Sequence, residues 1–197
     1  MTHFRALVLC RSAGVLLAVA SCSVQQEARP EAPADVFFGA LADHCGAAYE
    51  GVLASSPEAA GDDFAAARLV MHVHTCTDDE IRTAFHVGED RSRTWVLTRT
   101  EDGLRLKHDH RHEDGVEDEI SQYGGDTRGP GTADRQEFPV DDFSIDLFQR
   151  NDLERSTVNV WAMEITDAKF AYELRRKDFF FRVEFDVTAP IEAPTQK

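Results

Sequence analysis

The stretch Lys107-His108-Asp109-His110-Arg111-His112-Glu113-Asp114 sets three histidines on alternate positions, each flanked by charge. Imidazole is the commonest transition-metal ligand and the side chain whose charge changes nearest neutral pH, so the pattern points to metal binding or acid–base chemistry. On a strand, residues i and i+2 share a face about 7 Å apart. Two imidazoles at that spacing can converge on one zinc with bonds of about 2 Å. Three in a row span about 13 Å, too far to share one ion. A metal or ligand site here is therefore a His108–His110 pair with His112 at its edge and a carboxylate from a neighbouring strand. The plainer alternative is a structural one, histidines hydrogen-bonded at a strand end.

Turn lengths indicate which carboxylate, because opposed residues in a hairpin run in fixed register. Closing Glu101-Asp102-Gly103 as a three-residue turn opposes His108 to Val96 and His110 to Thr94. Closing Glu113-Asp114-Gly115 the same way opposes His110 to Asp118 and His108 to Ile120. One face then carries Val96, Leu104, Leu106, His108, His110, Asp118 and Ile120. The other carries Arg99, Arg105, Lys107, Asp109, Arg111, Glu117 and Glu119, with Trp95 and Leu97. Burying that charged set would be prohibitive, so it faces water and the histidines face inward. Asp118 is the expected partner of His110. His72 and His74 alternate against Leu69, Met71 and Val73, which sends both outward, with Cys76 beside them. His86 falls on the face assigned to Trp95, also outside, so the eight histidines form no single cluster.

The elements that must hold these residues follow from period. ADVFFGALADHCG (34–46) places Phe37, Phe38 and Leu41 near one helical face and ends on Gly46. From AAYEGVL onward the apolar period is two, through RLVMHVHTC, EIRTAFHVG, RTWVLTRT, GLRLKHDHRH and VEDEISQY, separated by short acidic turns. GGDTRGPGTADR reads as a long loop, and PVDDFSIDLFQR as a short helix with Asp141 or Asp142 as N-cap. TVNVWAMEI, KFAYELRR and FFFRVEFDV complete about nine strands. Connections this short cannot hold crossover helices, so the sheet is antiparallel. An up-and-down β-barrel, or a strongly curved meander, closes so many sequential hairpins. Phe179, Phe181, Val183, Phe185 and Val187 share a face, with Phe170, Tyr172 and Leu174 on the strand before, and form a core wall that could hold an apolar ligand if the middle is not filled. Glu89, Asp90, Arg91 and Arg93 read as a solvated salt-bridge cluster or, alternatively, an anion-binding rim.

The N-terminal segment indicates compartment. Arg5 and Arg11, the apolar run GVLLAVA and small residues before Cys22 make residues 1–21 a secretory signal peptide, too short to span a membrane. Val19-Ala20-Ser21-Cys22 resembles the bacterial lipobox, which implies that Cys22 is lipidated, and Ser23 after it implies outer-membrane sorting. Residues 22–35 read as a flexible tether, 36–190 as the β domain and 191–197 as a tail. In an oxidising compartment the remaining Cys45 and Cys76 are expected to pair as a disulfide. Removing Arg5 and Arg11 from the 21 basic residues leaves about 17 net negative charges against 36 acids, which disfavours nucleic acid as a partner.

A helical lead-in before Gly46-Ala47-Ala48-Tyr49, then sequential hairpins, resembles calycin-like barrels. The stretch from Phe85 to Gly115 is similar to a family of uncharacterised bacterial lipoproteins and secreted proteins, which implies no particular activity. The expectation is a lipid-anchored envelope protein that binds a small ligand or a divalent metal such as zinc at the barrel mouth, near His108, His110, His112 and Asp118. A structural lipoprotein docking an envelope partner is the alternative, and a metal-dependent hydrolase the third.

Overall fold

The computed structural model describes residues 31–56 and 62–194. The expected signal peptide, the lipidation residue Cys22 and most of the tether lie outside the described residues. Helix α1 (Pro33–Ala42) already starts inside the segment read as tether, with Pro33 in its first turn. Strand β1 (Ala48–Leu53) follows, then a single helical turn α2 (Asp62–Ala65). β2 (Leu69–Cys76), β3 (Glu80–Val87), β4 (Asp90–Thr100), β5 (Gly103–His110) and β6 (Tyr123–Asp126) form a meander. β7 (Arg135–Pro139), helix α3 (Asp142–Arg150), a 3₁₀ segment (Glu154–Val158), β8 (Val160–Ile165), β9 (Lys169–Arg176) and β10 (Phe179–Asp186) complete the chain. Ile191, assigned to the tail, is bridged to Ala48.

The ten antiparallel strands make a nearly closed barrel in the order β6-β5-β4-β3-β2-β1-β10-β9-β8-β7. β1 pairs β10, so two meanders join there and the seam falls between β6 and β7. Gly125 allows the seam to draw together, because a Cβ there would collide with the carbonyl oxygen of Pro139. Across the gap Asp141 N–H donates to the Gly124 carbonyl at 3.0 Å, and Ser144 Oγ accepts from Gly124 N–H at 2.7 Å. Asp141 is also the N-cap of α3, accepting from Ser144 N–H, and pairs with Lys107 at 2.6 Å.

One expected strand is absent, and β6 and β7 are additional. VEDEISQY is not a strand: the chain folds back at 113–122, and pairing with β5 resumes only at Tyr123, opposite His108. β7 falls between the expected loop, which ends at Arg135, and the expected helix stretch, which starts at Pro139; one of its two inward residues, Gln136 and Phe138, is polar. The β4–β5 turn is shorter than expected, since Gly103 pairs with Thr100 and only Glu101 and Asp102 form the loop. His108 therefore opposes Trp95, not Val96, and His110 opposes Arg93, not Thr94. That one-residue shift brings Trp95 and Leu97 into the core.

Helix α1 contributes Phe37, Phe38 and Leu41 to the core and contacts β5, β7 and β8, strands from both halves of the barrel. It thus closes one end of the barrel instead of packing on its exterior. Cys45, just after it, forms a disulfide with Cys76, at a Cα–Cα distance of 6.2 Å. Cys76 faces inward, contrary to expectation, because a bulge between Val73 and Thr75 reverses the alternation and puts Cys76 opposite the buried Ile81. On the outer face of β7–β10, four cations (Arg135, Lys169, Arg175, Arg182) interleave with Glu137, Glu164, Glu173 and Glu184. Arg182 lies at the centre of this network, bonded to three of the four glutamates.

Candidate functional site

Alternation along β5 points Leu104, Leu106, His108 and His110 into the barrel, the first three buried. The chain then reverses at Gly115 (φ +81°), and Asp118 N–H donates to the His110 carbonyl. Ser121 Oγ accepts from His110 N–H, and Gln122 N–H donates to the His108 carbonyl, which delivers Tyr123 beside His108. The Tyr123 ring stacks on His108 at 4.6 Å, and Trp161 lies 5.1 Å away.

The hydrogen bonds of His108 define its tautomer. Nδ1 is 3.0 Å from the Tyr123 carbonyl, which can only accept, so Nδ1 carries the proton. Nε2 is then bare and accepts from the Tyr172 hydroxyl at 2.7 Å. Burial pushes the imidazole pKa down to about 3, so the ring is neutral at pH 7. Both nitrogens are committed, leaving no lone pair for a metal. His110 Nε2 is 3.0 Å from the Tyr123 hydroxyl. Its pKa is lowered, by burial first and then by the Arg93 charge. Burial likewise raises the phenol of Tyr123 to about 12 and holds that of Tyr172 well above its ordinary value, so both stay protonated.

The two outer members of the expected set go elsewhere. Asp118 does oppose His110 along the backbone, but its carboxylate accepts from Ile120 N–H and stands 3.7 Å from Nε2 of the exposed His112. Both line an open outer groove that carries six acidic side chains against Arg91 and Arg111. Among the described residues no group of three or more His, Cys, Asp or Glu is placed to hold a metal ion. His108 and His110 each meet a tyrosine hydroxyl instead, at 2.7 and 3.0 Å. His86 is buried, not exposed, and its pKa is pushed down to about 4 by burial and then by Arg91.

What β5 builds instead is one wall of an aromatic pocket. Trp95 stacks between Phe85 at 4.7 Å and Tyr172 at 4.4 Å. Phe181 stands edge-on to Tyr172, and Phe64 of α2 edge-on to Phe181 at 5.2 Å. With His108, His110 and Tyr123 opposite, these rings bound a cavity of about 170 Å³, with Leu174 and Phe179 at its rim. Arg93, 27% exposed, is the only charged side chain among the described lining residues; its guanidinium lies 5.6 Å over Phe64 and pairs with Asp90. Trp95 and Tyr123 were not expected in the site, whereas Tyr172 was placed on a wall able to hold an apolar ligand and Arg93 in a solvated cluster or anion-binding rim. Tyr172 was recognisable as inward-facing from its alternation with Phe170 and Leu174, whereas Trp95 was lost to the misjudged turn.

No family model, no curated protein and no solved structure matches the chain.

Proposed function

We propose that this chain is a binding protein that takes one small, ring-sized apolar molecule in the aromatic pocket at the barrel mouth. The supporting observation is the pocket itself: rings on most sides, a hydrogen-bonded His108–Tyr172 and His110–Tyr123 pair at one wall, and a volume of about 170 Å³. Binding sites combine apolar walls with a few convergent polar groups in this way. The volume is near that of a cavity of about 150 Å³ known to take benzene. Catalysis by His108 has less support, because the neutral ring has neither nitrogen free. The sequence adds a location to the proposal: acylation at Cys22 would tether the barrel to the bacterial outer membrane.

Toluene provides the test. It should raise the melting temperature of the mature protein, and Leu174→Trp, which fills the rim, should abolish that rise while leaving the fold intact. An equal rise in the variant would place the binding elsewhere, and no rise in either protein would remove the proposal.

A further inference from the structure

We propose that the pocket selects an aromatic carboxylate, with the ring among Trp95, Tyr172 and Phe181 and the carboxylate on Arg93. This rests on the binding reading above and narrows it to one chemical class.

The inference comes from the hydrogen-bonding groups left over. A guanidinium has five N–H donors in a planar fork, and among the described residues that of Arg93 has one side-chain partner, Asp90. His108 is satisfied at both nitrogens. The His110–Tyr123 pair shares one hydrogen bond whichever way it runs, so it retains one more N–H or O–H to offer. The capacity that remains is therefore weighted toward donors. No carboxylate is found among the described lining residues to receive an ammonium group. A ligand cation would lose hydration without a counter-charge and would also meet the charge of Arg93. A ligand carboxylate meets the opposite situation, a fork that can hold both of its oxygens. Phe64 beneath the guanidinium holds that fork in place at the pocket mouth. The cavity is large enough for one ring and its substituent.

Calorimetric titration of the mature protein at pH 7 with benzoate, toluene and benzylamine separates the possibilities. Benzoate should bind about tenfold more tightly than toluene, the gain expected of a charge-assisted hydrogen bond, and benzylamine should not bind measurably. Arg93→Met should bring benzoate down to the level of toluene or below while toluene binding persists, which also shows that the pocket is intact. Asp90→Asn, which releases the guanidinium without touching the pocket, should tighten benzoate severalfold. If toluene binds but benzylamine equals benzoate, or if Arg93→Met leaves benzoate unchanged, or Asp90→Asn weakens it, the selection is overturned and the binding reading stands. If none of the three compounds binds, the binding reading falls and the selection with it.

Discussion

His108 makes the fold sensitive to acid in a way that can be isolated. Its imidazole protonates near pH 3 in the folded chain and near 6.5 when unfolded. Between those values the unfolded chain binds the extra proton, so stability falls as pH drops from about 6.5 toward 3. From pH 7 to pH 5 the difference between the two pKa values amounts to about 2 kcal/mol. The carboxylates and His86 also contribute to acid sensitivity, but they contribute equally to a variant lacking only this imidazole. His108→Gln should cost about 1–3 kcal/mol at pH 7, because the Tyr172 hydroxyl and Tyr123 carbonyl lose a well-placed partner. It should then lose about 2 kcal/mol less than the wild type between pH 7 and 5. Urea unfolding followed by tryptophan fluorescence at both pH values measures the comparison. Equal losses in the two proteins would refute the reasoning, since His108 would then not be held neutral by the fold.

Three further outcomes follow from the packing. Gly125→Ala should destabilise by about 3 kcal/mol or more, because the new Cβ meets the Pro139 backbone, which cannot move aside as a side chain can; thermal unfolding checks this. Reducing Cys45–Cys76, which encloses a 31-residue separation, should cost roughly 3–4 kcal/mol in denaturant midpoint experiments with and without reductant. Arg182→Ala should cost about 3 kcal/mol by the same measure, because it leaves Glu173, whose side chain is 8% exposed, short of one of its two cations.

The architecture was legible in the sequence wherever one face of a strand is apolar and the other charged. β9 and β10 show this most plainly: Phe170, Tyr172, Phe181, Val183 and Phe185 are all buried as their alternation implies. The site was legible only in part, because its composition depends on register and register depends on single residues at turns. Counting Gly103 as loop, when it is paired with Thr100, moved Trp95 from the pocket floor to the solvent face. The bulge after Val73 reversed Cys76 in the same way, although the disulfide it forms was foreseen from compartment alone. Tyr123 and Tyr172 lie 15 and 64 residues from His108, and no local pattern announces that their oxygens meet its two nitrogens. The alternation of the three histidines did not announce their separate surroundings: His108 bonds the Tyr123 carbonyl and the Tyr172 hydroxyl, His110 the Tyr123 hydroxyl, and exposed His112 stands beside Asp118.

The most direct measurement is a crystal structure of the protein soaked with bromobenzene, read from the anomalous signal of bromine. A single peak between Trp95, Tyr172 and His110 is the expected result. A pocket found empty, with bromine bound only at the outer surface, would contradict the proposal that this barrel is built to hold a ring.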